Sequence, residues 1–373
     1  MKSKGKVLLA LSGGVDSSVA ALLLKKQGYE VIAAFMKNWS DTKNKITGEC
    51  HWMEERRFAI KIAAKLNIPI ITLDFENEYK KDVVDPMFEK YKKGITPNPD
   101  IDCNNKIKFP LLIKAAKKLK CDYVATGHYA RIKKNKSNKY ELHRGKDESK
   151  DQSYFLYRLS QKDLEKTIFP IGELNKVKIR EIAKKEKFPN FDKKGTVGIC
   201  FIGKVNLKEF LQKKIKPKKG KILNPEGEQI GEHDGIFYYT IGQRIGPRFG
   251  IEIKKQGGSK PLKWYVAKKN LKKNIIIAAP EGHKLNLRKR IIVKDFHLID
   301  LDKKIFKKSI ENKSKKIHSR IRQVGELLSS KIKLENKKLI IELSKAITGV
   351  SPGQAIVIYD KTKTLGGGVI SFE

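Results

Sequence analysis

What this chain lacks narrows it quickly. Its 373 residues include only four cysteines, Cys50, Cys103, Cys121 and Cys200. They are too few for a disulfide scaffold and too widely spaced for a zinc ribbon. No apolar run approaches the roughly 20 residues that a membrane span needs. The start, Met1 to Lys6, has the basic character of a signal-peptide n-region, but the apolar stretch behind it is too short. A cytoplasmic protein without a membrane partner is the expectation. Acidic residues are also scarce, 41 Asp and Glu against 81 Lys and Arg, for a formal net charge of +40. Such an excess favours a polyanionic partner. Lysine far outnumbers arginine, and enrichment in lysine, isoleucine and asparagine also follows from an AT-rich genome, so the charge supports nucleic-acid binding without proving it. No internal repeat is visible, and the lysine runs read most simply as solvated faces.

The residues that are present begin with an alternation of apolar runs and helical patterns. Val7 to Leu11 suits a buried parallel strand and leads directly into "SGGVDSS", Ser12 to Ser18. A helix follows, with Gly28 as its stop. Glycines between a strand and a helix N-terminus offer backbone N–H groups to a phosphate. The loop lacks the Gly-Lys-Ser/Thr ending of a Walker motif and the spacing of a dinucleotide fingerprint. Asp16 would repel phosphate unless a cation stands between them, which points to Mg²⁺ bridging carboxylate and phosphate oxygens. A plain turn with a helix cap is the bland alternative.

Further strands are expected at Tyr29–Met36, Ile68–Leu73 and Asp122–Thr126, with helices near Glu54–Leu66 and Phe109–Leu119. Together these give a doubly wound parallel sheet, in which ligands sit beyond the carboxyl ends of the strands. Ser12 to Ser17, Met36 and Gly127-His128 all fall there. Beyond about residue 205 short strands and turns take over. From about Lys284 the runs Arg290–Val293, Leu339–Leu343 and Ala355–Tyr359 read as antiparallel, a β-barrel, with Gly366-Gly367-Gly368 between its last two strands. The expected units are 1–204, a catalytic α/β domain; 205–280, a small central domain; and 281–373, the barrel.

A lone cysteine is more often a small buried residue than a nucleophile, and Cys121 at a strand start suits that reading. Cys50, beside His51, reads as a loop residue, with a reactive or metal-binding thiol as the alternative. Cys103 and Cys200 differ, since Lys106, Lys108, Lys193, Lys194 and Lys204 lie near them in sequence and can favour thiolate.

The loop "SGGVDSS" resembles the pyrophosphate loop of the ATP pyrophosphatases, which split ATP between its α and β phosphates. Taken with "MKNW", "TPNPD", "ATGHYAR", "KDQSYFL", "GICFIG", "GEHDG", "YYTIGQR", "SPGQA" and "LGGG", the chain resembles, end to end, the tRNA 2-thiouridylase family of that superfamily. The resemblance implies an adenine nucleotide alpha hydrolase-like domain, then a central tRNA-binding domain and a C-terminal β-barrel. It implies ATP bound by Ala10, Leu11, Ser12, Gly13, Gly14, Val15, Asp16, Ser17, Met36 and Gly127, with Mg²⁺ on Asp16. Asn98, Pro99 and Asp100 would meet the target base, and Lys150, Asp151 and Gln152 would contact tRNA. His128, Arg320, Ile321 and Gln354 match further tRNA-contacting positions. Cys103 matches the nucleophile and Cys200 the carrier of persulfide sulfur, supplied by a cysteine desulfurase or a sulfur-relay protein. The reaction implied is replacement of the C2 oxygen of the wobble uridine by sulfur, in the tRNAs for Lys, Glu and Gln. Two positions depart from the pattern. Asp102 replaces an apolar residue and would raise the thiol pKa if it faced the sulfur. Ile321 replaces an aromatic one, with loss of a stacking contact.

Rivals are another adenylating pyrophosphatase, such as an amidotransferase-type synthetase or a 4-thiouridine synthase, and a basic RNA-binding protein with a vestigial nucleotide site. The first would not need both cysteines in these settings. The intact Asp16 and serines speak against the second.

Overall fold

The computed structural model describes residues 3–41, 48–195, 198, 200, 202, 206–253, 262–300, 306, 317–323, 325–335 and 338–372. Strands β1 (Lys6–Ala10), β2 (Glu30–Lys37), β3 (Ile70–Asp74) and β4 (Tyr123–Thr126) lie parallel. A hairpin of β5 (Ala130–Lys134) and β6 (Tyr140–Arg144) follows, then β7 (Thr167–Ile168), which completes the parallel sheet in the order β3-β2-β1-β4-β7. The period of two along the strands divides the core. Leu8, Ala34 and Met36 face Tyr79, Cys103 and Ile107, whereas Val7, Leu9, Ala33 and Phe35 pack under α1 (Val15–Lys26) and α2 (His51–Lys65). Both faces are covered, which is why these strands read as continuous apolar runs. α1 is rich in alanine and leucine, buries eight residues and stops before Gly28, whose φ is +87°.

β1 pairs with β2 on one side and with β4 on the other. The chain reverses its direction of winding there, so a crevice opens beyond Ala10 and Thr126. The opposite face carries a continuous helical segment of three parts: Pro99–Asp102, a wider π-helical stretch Cys103–Lys108, and α3 (Phe109–Lys118).

The central domain is a five-stranded sheet of β8 (Gly220–Leu223), β9 (Gln229–His233), β10 (Arg244–Ile245), β11 (Trp264–Asn270) and β12 (Ile275–Pro280), in the order β10-β11-β12-β8-β9. Strands β13 (Arg288–Leu298), β14 (Ile317–Arg320), β15 (Leu328–Glu335), β16 (Lys338–Ile347), β17 (Ala355–Asp360) and β18 (Lys363–Ser371) close into an antiparallel barrel through the β13–β18 pairing. β17 is buried on both sides. Ile356 and Ile358 point into the barrel, while Ala355, Val357 and Tyr359 pack on Ile101, Tyr154 and Tyr157 of the N-terminal domain.

Two expectations need correction, and one element was not expected. Gly366-Gly367-Gly368 does not separate the last two strands but lies inside β18. The reason is close strand approach: an added Cβ would come within 2.1 Å of His297 O at Gly366 and 2.6 Å of Ile356 O at Gly367. Cys121 is only partly buried, with its thiol 3.9 Å from Leu119 O. The β5–β6 hairpin, unforeseen, extends the barrel sheet through a rung between His143 and Lys363.

Candidate active site

The loop after β1 is built as its sequence suggests. Gly13 has φ +78°, and a Cβ there would sit 2.2 Å from Glu55 O. Only glycine fits. Gly14 caps α1 without a side-chain hydrogen bond, so the first-turn N–H groups have no intrahelical acceptor. Ser17 Oγ donates to Gly14 O at 2.9 Å and accepts from Ser12 N at 3.2 Å. Asn190, fully buried, donates from Nδ2 to Gly13 O and Ser18 Oγ. Gly127 lies against the Asp16–Ser17 backbone, where an added Cβ would reach Ser17 N at 2.8 Å. Met36, at the end of β2, is buried in the same region. Ala10 ends β1, and Leu11 N–H donates to Ala34 O, which fixes where the loop departs. Val15 is buried beneath it.

Asp16 Oδ1 accepts from Tyr129 OH and from Lys176 Nζ, each at 2.6 Å. Burial and the Asp16 charge push the Tyr129 hydroxyl above its usual range, so it stays a donor. Among the described residues no group of three His, Cys, Asp or Glu side chains could hold a metal alone. One carboxylate beside an anion-receiving loop fits a Mg²⁺ that arrives with phosphate oxygens.

The two cysteines meet on the other face of the sheet. Cys103 Sγ lies 3.7 Å from Cys200 Sγ, although the residues are 97 apart in sequence. Lys108 Nζ is 3.7 Å from Cys200 Sγ. Cys200 N–H donates to Asp100 Oδ1 at 2.8 Å, and Tyr79 OH donates to Cys200 O. Burial pushes the Cys103 thiol up, and it donates to Cys200. That donation, with the Lys108 charge, holds the Cys200 thiol below its usual range against burial. Of the other lysines expected there, Lys106 pairs with Asp102 at 3.3 Å and Lys193 with Glu55 at 2.8 Å. Lys194 is exposed and Lys204 lies outside the described residues. Asp102 also faces Lys90 at 3.4 Å, so its carboxylate is turned to lysines and not to Cys103. Cys50 caps α2 and donates to Ser40 O at 3.1 Å, away from the pair.

The segment before Cys103 is clamped by all three domains. Asn98 caps the helix, its side chain accepting from Ile101 N–H, and Pro99 occupies the first turn. Gln354 Nε2 donates to Thr96 O at 3.0 Å and Pro97 O at 2.8 Å, and Thr96 N–H donates to Pro352 O. Gly353 makes the approach possible: φ is +89°, and a Cβ would lie 2.7 Å from Thr96 O. Thr96 Oγ1 meets Thr240 Oγ1 of the central domain at 3.1 Å. The motifs around Thr240 and Gln354 therefore position the Asn98–Asp100 corner.

Several residues that the resemblance gives to tRNA contact lie inside the molecule. His128 is buried between Phe109 and Phe169, with Nδ1 bonded to Thr126 Oγ1, and burial together with Lys108 holds it well below its usual pKa. Asp151 accepts from Gly145 N–H, Ser153 N–H and Oγ, and Arg320 Nη1 at 2.8 Å. Ile321 is buried, and its carbonyl accepts from Tyr154 OH. The Arg320–Asp151 pair and the Tyr154–Ile321 bond join the barrel to the N-terminal domain. Gln152 Oε1 accepts from Tyr129 N–H, and Lys150 alone of its triplet is exposed. Arg320→Met strands the Asp151 carboxylate and is expected to cost about 3–5 kcal/mol, the penalty for breaking a buried pair. Denaturant unfolding checks this, and a loss under 1 kcal/mol, a surface-pair value, counts against it.

Sequence reasoning missed Tyr79, Tyr129, Lys176 and Asn190. Their only signal is placement beyond strand ends or across the sheet, which tertiary pairing supplies.

Comparison with known proteins places the chain among relatives along its full length. The family model described as tRNA methyl transferase HUP domain matches residues 5–204. Those described as tRNA methyl transferase PRC-barrel domain and aminomethyltransferase beta-barrel domain match 208–280 and 288–370. A protein of Streptococcus thermophilus named tRNA-specific 2-thiouridylase MnmA is 42% identical over 369 residues, 99% of this chain and 95% of its own length. One of Buchnera aphidicola with the same name is 43% identical over 372 residues, covering 99% and 98%.

Proposed function

Since this chain belongs to the tRNA-specific 2-thiouridylase family, we propose that it is an ATP-dependent tRNA-uridine 2-sulfurtransferase. The observation that carries the reading is the Cys103–Cys200 approach, 3.7 Å between sulfurs drawn from distant parts of the chain. In this reading residues 1–204 do the chemistry, 205–280 and 281–373 help to hold tRNA, and the net charge of +40 serves the phosphate backbone.

A uridine carbonyl oxygen is a poor leaving group, so the C2 oxygen is first adenylated by ATP with release of pyrophosphate. The first-turn N–H groups of α1, Ser12 and Ser17 receive that pyrophosphate, and Lys176 and Tyr129 stand ready beside it. Asp16 would hold Mg²⁺, which neutralises phosphate charge when bound. Cys200 carries the sulfur as a persulfide. Cys103 attacks the inner persulfide sulfur, frees the outer sulfur to attack C2, and leaves a Cys103–Cys200 disulfide for later reduction as AMP departs. The sulfurs must close from 3.7 Å to about 2.05 Å, a small movement. The target base has to meet both ATP and thiols, so it is flipped out of the anticodon stack toward the Asn98–Asp100 corner. The wobble uridines of the Lys, Glu and Gln tRNAs are the expected substrates. A protein persulfide supplies the sulfur.

The family-model descriptions name methyl transfer, but a methyl group carried to RNA requires neither a thiol pair nor a pyrophosphate loop. Pyrophosphate release, assayed with and without tRNA, tests the proposal. Release that depends on a tRNA with a wobble uridine is expected. Release supported equally by a free amine and no tRNA points to an amidotransferase-type enzyme, and none at all to a binding protein.

A further inference from the structure

Lys108 is a half-buried cation beside Cys200 that takes no part in the thiolation steps proposed above. It sits five residues after Cys103, and in an α-helix residues five apart lie about 140° round the axis from one another. Cys103–Lys108 is a wider π-helical stretch, closed at its end by Phe109 N–H donating to Asn104 O. Bonding five residues back instead of four brings the ends of such a stretch toward one face. Both then reach the same sulfur: Cys103 Sγ and Lys108 Nζ are each 3.7 Å from Cys200 Sγ.

Building on the thiolation reading, we propose that Lys108 makes Cys200, and not Cys103, the anionic sulfur of the pair, and so selects Cys200 as the acceptor of sulfur from a persulfide donor. The groups around Cys200 fit this assignment. Cys103 gives it an S–H donor and Lys108 a charge, and Tyr79 donates to its carbonyl. Asp100, the negative group nearby, is occupied by the Cys200 N–H, and burial raises its pKa. His128 is held neutral by burial and by Lys108 itself, so it is no competing cation. Burial would lower the Lys108 pKa, yet Cys200, Cys103 and Asp100 together keep it raised. The loading step balances: the Cys200 thiolate attacks the terminal sulfur of R–S–SH and the donor S–S bond breaks. A new S–S bond forms on Cys200, and the donor leaves as R–SH with the persulfide proton. The product persulfide anion keeps the same counter-charge.

The test follows alkylation of Cys200 and Cys103 by iodoacetamide against pH, mapped by mass spectrometry, in the full-length protein. In the wild type Cys200 is expected to react at lower pH than Cys103. Lys108→Met should move the Cys200 midpoint up by about one unit and slow its alkylation at pH 7 about tenfold. Lys108→Arg should largely restore both. Loading of Cys200 by a low-molecular-weight persulfide should fall in parallel. An unchanged Cys200 profile in folded Lys108→Met, or a Cys103 midpoint below that of Cys200 in the wild type, overturns the proposal. Should Lys108→Met fail to fold, ultraviolet thiolate absorbance decides. The low-pH step must disappear in Cys200→Ser and persist in Cys103→Ser; the reverse pattern overturns it. These readouts need neither ATP nor tRNA. Failure of tRNA thiolation with a normal Lys108 effect refutes only the functional reading, whereas active thiolation with no Lys108 effect refutes only this one.

Discussion

With a sulfur-labelled persulfide donor, Cys103→Ser is expected to accumulate label on Cys200, and Cys200→Ser to carry none at that position. Both should make almost no 2-thiouridine. The two thiols sit 3.7 Å apart yet their acidities are shifted in opposite directions. Cys103 is fully buried with a raised pKa and donates its proton, while that donation and the Lys108 charge hold the Cys200 thiol below its usual range. An alkoxide in place of Cys200 cannot form the sulfur–sulfur bond that holds the label. A hydroxyl in place of Cys103 cannot displace the outer sulfur, so the loaded state persists. Excess free sulfide should partly rescue either variant by attacking the adenylated base directly. Replacing Cys50 should change little, since its thiol donates to Ser40 O at a helix cap. Cys121→Ser should also stay active, because its side chain is only partly buried. Full thiolation by Cys103→Ser under limiting donor would exclude the two-thiol route.

How far the sequence led depends on which interactions fix each feature. The parallel sheet was legible because Val7–Leu11 and Val31–Met36 are short runs apolar on both faces, as strands covered on both sides require. The anion loop was legible because Gly13 is demanded by backbone geometry that only its own neighbours and Glu55 O impose. The link between Cys103 and Lys108 was not, since i to i+5 proximity requires a π-helical stretch that no periodicity in Cys103–Lys108 announces. Five lysines stood near the cysteines in sequence, and only folding shows that Lys106 and Lys193 are occupied by Asp102 and Glu55. Arg320 and Asp151, matched to RNA contact by resemblance, are a buried pair across 169 residues. A polar motif on its own does not say whether its partner is a nucleic acid or the other half of the protein. Gly366 to Gly368 mislead in the same way: glycines suggest a turn, but here they admit β13 and β17 against β18.

Asp16→Asn is expected to lower pyrophosphate release at least about a thousandfold, a loss comparable to deleting a principal electrostatic contact in a dry site, while tRNA affinity changes less than about twofold. The substitution is nearly isosteric. Its amide oxygen can still accept from Tyr129 OH, so the loop geometry that Ser17, Gly13 and Asn190 build should hold. What it removes is the negative charge. That charge is matched by Lys176 at 2.6 Å, with both side chains partly exposed, so the pair itself adds little stability. In the proposed reaction the same carboxylate would hold Mg²⁺ and Lys176 would serve phosphate oxygens, and a neutral amide serves a dication poorly. The two roles separate by titration with Mg²⁺. If Asp16 is the metal ligand, Asp16→Asn should need far more Mg²⁺ for half-maximal release, whereas Lys176→Met should leave the Mg²⁺ requirement close to normal and raise the KM for ATP. Release by Asp16→Asn at the wild-type rate and Mg²⁺ dependence would leave Asp16 as a partner of Lys176 and Tyr129 alone, and the metal would have to rest on phosphate and water.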